Sequence, residues 1–128
     1  VLEKFPEQIE IHAMGEGFSW ETQDKERDIA AARKAWNKSK EMIEASRGDN
    51  PEFDMIVLDE LNIVLRYDIL PIDEIIETLN NRPENLHIVI TGRNAKDELI
   101  EAADLVTEMT QIKHPYRSGV KAQKGVEF

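Results

Sequence analysis

The segment from Phe53 to Glu60 places the strongest constraint on how this chain folds. Its centre, Met55 to Leu58, consists of four consecutive apolar residues, and Asp59 and Glu60 follow directly. A short apolar run of this kind predicts a strand that is buried on both faces, as in a parallel sheet. Open α/β sheets bind their ligands at the carboxyl ends of their strands. The sequence therefore predicts an α/β fold with an acidic pair at the ligand-binding edge.

Predicted strands and helices alternate along the rest of the chain. Strands are predicted at 8–13, 54–59, 86–91 and 105–112, helices at 23–46, 71–80 and 95–103, and a short helix or turn at 61–67. This alternation is typical of a parallel sheet with helical crossovers. With 128 residues, the chain has room for one α/β domain spanning residues 1–128.

The composition excludes several classes of function. A net charge of −10 argues against a nucleic-acid-binding protein. The charge is uneven, because residues 111–128 carry +3 and the other residues −13. This basic tail contacts phosphates or is simply solvated or packed near acidic helices. No apolar run approaches the roughly 20 residues of a membrane span, and no signal peptide is visible. The chain has no cysteine, which excludes disulfides and thiolate zinc sites. The lack of cysteine is also compatible with the cytoplasm.

The acidic pair Asp59-Glu60 is the first candidate site. Carboxylates at this place can hold Mg²⁺ and, through it, the phosphates of a nucleotide. The alternative is that both acids only begin a helix, where the helix dipole favours negative charge. The phosphate loop that such a site usually accompanies, G-x-x-x-x-G-K-[ST], is absent from the 128 residues.

Two further segments should lie at the same edge of the sheet. Thr91-Gly92-Arg93 ends the second apolar strand, and Arg93 either contacts phosphate or pairs with a neighbouring acid. Phe18 and Trp20 lie on a glycine-containing loop after the first predicted strand, where they stack on a flat ligand or anchor the loop in the core. The three histidines have no metal-ligand spacing.

Together these segments resemble the P-loop-type ATP:corrinoid adenosyltransferases, which act on cob(I)alamin or cob(I)yrinic acid a,c-diamide. The resemblance rests on G-F-S-W-E-T at 17–22, V-L-D-E-L-N at 57–62, I-T-G-R at 90–93 and the tail from Lys113 to Phe128, including G-V-K-A-Q-K-G at 119–125. These blocks follow the family order and spacing from about residue 9 onward.

The resemblance implies a RecA-like fold and transfer of the 5′-deoxyadenosyl group of ATP to the Co(I) of a corrinoid, with release of triphosphate. It implies that Glu60, with Asp59 beside it, holds Mg²⁺ or Mn²⁺, and that Phe18 and Trp20 face the corrin ring and keep the lower axial position empty. Arg93 would lie near the nucleotide. The implied enzyme is a cytoplasmic homodimer that receives electrons from a reductase.

One departure from the family pattern concerns the phosphate loop. The N-terminal strand–P-loop–helix unit of the family is missing from the sequence, which begins at Val1 without an initiator methionine. The expectation is therefore a trimmed or partial chain, which associates with itself or with the missing part and by itself binds ATP poorly and transfers nothing. Two alternatives stay open. One is another RecA-like ATPase, in which Glu60 polarises water, and the other is a P-loop-less paralogue that binds a corrinoid or a partner through the Phe18–Trp20 loop.

Overall fold

The computed structural model describes residues 1–14 and 25–124. Within these residues the regular elements are α1 (Lys25–Ala45), β1 (Met55–Leu58), α2 (Leu61–Arg66), α3 (Ile72–Asn80), β2 (His87–Ile90) and α4 (Asp97–Ala102). Two short 3₁₀ helices, Leu2–Lys4 and Pro115–Ser118, lie near the ends of the described chain. The predicted helices and the two central strands are confirmed to within a few residues. The predicted start of the first helix at Gln23 falls outside the described residues.

The sheet consists of β1 and β2, which pair in parallel with Met55 opposite His87 and Leu58 opposite Ile90. This pairing confirms the predicted parallel α/β arrangement. The prediction that β1 is buried on both faces is wrong for the described structure. Ile56 is 4% exposed, but Met55 and Val57 are each 55% exposed, because the described helices cover only one face of the sheet.

The core lies between the helices and the covered face of the sheet. The apolar residues Ala32, Trp36 and Ile43 of α1 are all buried, whereas Ile29 near its start is exposed. Ile75 of α3 is completely buried and belongs with Trp36 to the larger of two apolar clusters. The smaller cluster joins Ile43 to the sheet. In both α1 and α3, apolar residues at helical spacing thus form the face that packs into the core.

Two predicted strands are not formed. Residues 9–14 and 105–111 have no regular structure, and Met109 is 94% exposed. A segment rich in apolar residues forms a strand only where a neighbouring strand satisfies its backbone hydrogen bonds. Within the described residues, neither segment pairs with the sheet. Among residues 1–14 and 25–124 as a whole, no helix is long and apolar enough to cross a membrane.

A cluster of polar side chains joins α1 to α3. The Glu74 carboxylate accepts two hydrogen bonds from Arg33 Nη1, at 2.8 and 2.7 Å, and one from the buried indole of Trp36, with Nε1 at 3.0 Å. Lys40 Nζ donates a further bond at 3.1 Å. The hydrogen bond from Arg33 is the main cause that lowers the pKa of Glu74 below its ordinary value of 4.5. This carboxylate therefore fixes how the two longest helices pack.

Candidate functional site at the carboxyl edge of the sheet

The candidate site forms where β1 and β2 end side by side. Leu58 pairs with Ile90, and the Thr91 amide donates a hydrogen bond to the Leu58 carbonyl oxygen at 3.3 Å. The next residue of the first strand segment, Asp59, therefore lies beside Thr91. The predicted meeting of the Asp59-Glu60 and Thr91-Gly92 segments at one sheet edge is confirmed.

The Thr91 hydroxyl group connects both acidic residues. It donates a hydrogen bond to Asp59 Oδ1 at 2.6 Å and accepts one from the backbone N–H of Glu60 at 2.9 Å. The Thr91 carbonyl oxygen also accepts a bond from the backbone N–H of Asn62 at 3.3 Å. Thr91 therefore makes three hydrogen bonds to the segment that leads into α2, one each to Asp59, Glu60 and Asn62.

Glu60 adopts a backbone conformation that is unusual for a residue with a side chain. Its φ of 60° and ψ of 19° lie in the left-handed region, which costs about 1–2 kcal/mol for an L-residue other than glycine. Glu60 precedes the first residue of α2, yet its side chain makes no capping hydrogen bond. Strained backbone of this kind clusters at ligand-binding sites. The strain is compatible with a binding function for Glu60, and the alternative that both acids only begin a helix stays open, because Glu60 directly precedes α2.

Gly92 lets the two strand ends approach closely. Its φ is 123°, and a Cβ added there would lie 2.8 Å from the Cβ of Asn62 and 3.4 Å from Oε2 of Glu60. Asn62 is 7% exposed, and its Nδ2 donates to the Gly92 carbonyl oxygen at 3.3 Å. Its Oδ1 is buried with no hydrogen-bond partner among the described residues. Only glycine fits between Asn62 and the Glu60 carboxylate without displacing one of them.

The two carboxylates at the strand end could supply part of the coordination of a Mg²⁺ ion. Both Asp59 and Glu60 are exposed. Within residues 1–14 and 25–124, no group of three or more His, Cys, Asp or Glu side chains is placed to hold a metal ion. Mg²⁺ is commonly held by one or two carboxylates together with waters and substrate phosphates. The strand-end pair is compatible with this mode of Mg²⁺ binding.

The remaining predicted site residues are not brought together by the described structure. Arg93 lies at the same strand end and is exposed, but its side chain has no hydrogen bond or ion pair to Asp59 or Glu60 in the part of the chain that the structure describes. Its contact with a nucleotide therefore stays a prediction. Phe18 and Trp20 lie outside the described residues.

The sequence placed Thr91 at this edge of the sheet but did not identify Thr91 or Asn62 as residues of the site. The signal for Thr91 was available, because in-register parallel pairing of the two predicted strands places it beside Asp59. No local pattern marks Asn62, whose role depends on the close approach of Gly92.

An acidic pair at the carboxyl edge of a parallel α/β sheet is compatible with the P-loop-type class of nucleotide-binding proteins. Comparison with known families narrows this class. The family model described as ATP:corrinoid adenosyltransferase BtuR/CobO/CobP matches residues 1–128, and the chain belongs to this family.

Several curated relatives are named corrinoid adenosyltransferase. One from Sinorhizobium sp. is 53% identical over 130 residues, covering 100% of this chain and 58% of the relative. Another from Pseudomonas aeruginosa is 48% identical, covering 98% of this chain and 59% of the relative. A third from Escherichia coli K12 is 40% identical, covering 96% and 60%. The chain therefore spans about three fifths of the length of these relatives.

Proposed function

We propose that this protein transfers the 5′-deoxyadenosyl group of ATP to the Co(I) of a corrinoid, with the strand-end pair Asp59-Glu60 at the triphosphate. Family membership supports the reaction class. The observation that carries the placement is the Glu60 carboxylate, which extends beside Gly92 at the carboxyl edge of the sheet. In this reaction the cobalt electron pair forms a bond to C5′, the C5′–O bond breaks, and triphosphate leaves with its electrons.

The described residues supply orientation and negative charge at the site. Glu60 would hold Mg²⁺ or Mn²⁺, and Asp59, tied to Thr91, would add its charge beside it. The bound ion would neutralise charge on the triphosphate as it leaves. Because the corrinoid itself supplies the reactive cobalt, the protein needs to bind, orient and exclude water more than to donate reacting groups.

Three predicted residues complete the proposed site. Phe18 and Trp20 would face the corrin ring and exclude a lower axial donor, and Arg93 would contact the nucleotide with its planar guanidinium group. For Arg93, the supporting observations are its exposure and its position next to Gly92. For Phe18 and Trp20, the support is the G-F-S-W-E-T segment that the family resemblance rests on.

The proposal extends to the rest of the protein. A RecA-like arrangement, a homodimer in the cytoplasm and a reductase that supplies electrons are consistent with the same family. The 128 residues contain no G-x-x-x-x-G-K-[ST] motif, so the main phosphate contacts would come from outside them. We therefore expect the 128-residue chain, assayed by itself, to bind ATP poorly and to transfer nothing.

Product analysis tests this function directly. Protein expressed from the complete gene is incubated with ATP, Mg²⁺ and a chemically reduced Co(I) corrinoid under anaerobic conditions. We expect a light-sensitive Co–C bond and one triphosphate for each corrinoid converted. ADP and phosphate as the products would instead indicate an ATPase. Corrinoid binding that persists without ATP, with no transfer, would indicate a binding protein.

A further inference from the structure

We propose that Thr91 is a positioning residue, whose hydroxyl group holds the turn that aims the Glu60 carboxylate at a divalent cation. The identity of the cation's partner rests on the proposed function, whereas the contacts that hold Glu60 do not. No motif in the sequence assigns this task to Thr91. It follows from the two hydrogen bonds that the hydroxyl group makes at the strand ends.

The two bonds of the hydroxyl group have opposite directions. Its single proton goes to Asp59 Oδ1 at 2.6 Å, and its oxygen accepts the Glu60 N–H at 2.9 Å. A hydroxyl group is a donor and an acceptor at once, whereas a methyl group is neither. Serine at position 91 could therefore keep this function and valine could not, although valine has nearly the same shape as threonine.

The bond to the Glu60 N–H has a structural purpose. Glu60 is held at a φ of 60°, a conformation that a residue with a side chain adopts only when its surroundings compensate for the cost. Thr91 compensates on one side, and the hydrogen bond from the Ile63 N–H to the Glu60 carbonyl oxygen, at 3.0 Å, does so on the other. Without the hydroxyl group, Glu60 would relax toward an ordinary backbone conformation and its carboxylate would leave its place beside Gly92.

The same contacts give Asp59 and Glu60 different roles. Asp59 Oδ1 is occupied by Thr91. The Glu60 carboxylate has no hydrogen bond or ion pair in residues 1–14 and 25–124, and its Oε2 lies 3.4 Å from the position of a Cβ on Gly92. Glu60 therefore supplies the free ligand oxygens, while Asp59 anchors the hydroxyl group that positions it. This is the arrangement by which outer contacts orient a metal ligand.

The experiment uses Mn²⁺ alone as the probe, added to the wild-type chain and to three threonine variants. Paramagnetic broadening of the Glu60 and Gly92 NMR signals gives the apparent Mn²⁺ affinity. Thr91→Val should weaken that affinity about tenfold, and Thr91→Ser should keep it within about twofold. Thr78→Val is the matched control, because Thr78 also donates its hydroxyl proton, to the Glu74 carbonyl oxygen at 3.0 Å, but lies in α3 away from the site.

Either of two results would overturn the proposal. One is that Thr91→Val binds Mn²⁺ as tightly as the wild type, and the other is that Mn²⁺ does not broaden the signals near Glu60 in the wild type. Circular dichroism checks that each variant folds. If Thr91→Val does not fold, hydrogen exchange of the wild-type Glu60 amide decides, because protection supports the bond to Thr91 and unprotected exchange overturns it.

A second readout separates this proposal from the proposed function. In protein expressed from the complete gene, Thr91→Val should raise the Mg²⁺ concentration for half-maximal transfer about tenfold, while saturating Mg²⁺ restores kcat. A purely structural defect would lower kcat at every Mg²⁺ concentration and would contradict positioning. If the wild type binds Mn²⁺ near Glu60 but transfers nothing, the adenosyltransferase function fails and the positioning role stands.

Discussion

Replacing Glu74 by alanine removes the carboxylate that joins α1 to α3. The largest loss comes from the Trp36 indole, which is 2% exposed and would keep a buried N–H without a partner, at a cost of about 1–3 kcal/mol. Arg33 and Lys40 remain 39% and 38% exposed, so each lost ion pair counts as a surface pair worth about 0.2–1 kcal/mol. We expect a total loss of about 3 kcal/mol in the free energy of unfolding.

The pH dependence of this loss identifies its cause. The pKa of Glu74 is lowered in the folded protein, chiefly by the hydrogen bond from Arg33, from an ordinary value of 4.5. A lowered carboxyl pKa contributes stability above the unfolded pKa, and this contribution disappears as the pH falls through the folded pKa. The difference between wild type and Glu74→Ala should therefore be complete at neutral pH and shrink below about pH 4.5.

Urea denaturation followed by circular dichroism measures both effects. Glu77→Ala is the matched control, because Glu77 is an exposed glutamate on the same helix and its side chain has no ion pair among the described residues. Glu74→Gln, which keeps an acceptor for the Trp36 indole, should lose about 1 kcal/mol. The reasoning is refuted if Glu74→Ala is no less stable than Glu77→Ala, or if its loss does not change between pH 7 and acid.

Two further substitutions test the packing around the site and in the core by the same urea titration. Gly92→Ala should cost about 1–3 kcal/mol in the free energy of unfolding, because the new Cβ would lie 2.8 Å from the Asn62 Cβ. Gly48→Ala is the control, because Gly48 also has a positive φ, 93°, but no atom lies within 4 Å of the position of its Cβ. An equal cost in the two variants would contradict the predicted clash with Asn62. Ile75→Ala should cost about 2–5 kcal/mol, because Ile75 is 0% exposed. The same change at Ile100, which is 42% exposed, should cost much less, and similar costs would contradict the described core.

The sequence predicted the parts of the fold that depend on local pattern. Four consecutive apolar residues at Met55–Leu58 and the apolar spacing of α3 correctly located a strand and a helix. The meeting of Asp59 with Thr91 followed from a general property of parallel sheets, which bring the ends of their strands to one edge. These features need no knowledge of distant residues.

The features that the sequence did not predict depend on contacts between distant residues. Glu74 and Trp36 are 38 positions apart, and nothing near either residue indicates that they meet. Strands were predicted at 8–13, where apolar residues alternate, and at 105–112, but strand formation requires a partner that a local pattern does not reveal. The left-handed conformation of Glu60 is likewise unexpected for a glutamate. It is held by the opposite strand end, so no local pattern indicated the hydrogen bonds that Thr91 makes to Asp59 and Glu60.

The most direct test of the proposed site is the transfer rate of Glu60→Gln in protein expressed from the complete gene, with a reduced corrinoid and saturating ATP and Mg²⁺. Glutamine keeps the size of the side chain but lacks the charge that binds the cation. Glu84→Gln is the matched control, because Glu84 is exposed and lies before β2, at the opposite end of that strand. We predict that Glu60→Gln lowers the rate at least about a hundredfold while Glu84→Gln leaves it unchanged. Equal rates in the two variants would contradict the assignment of the strand end as the nucleotide site.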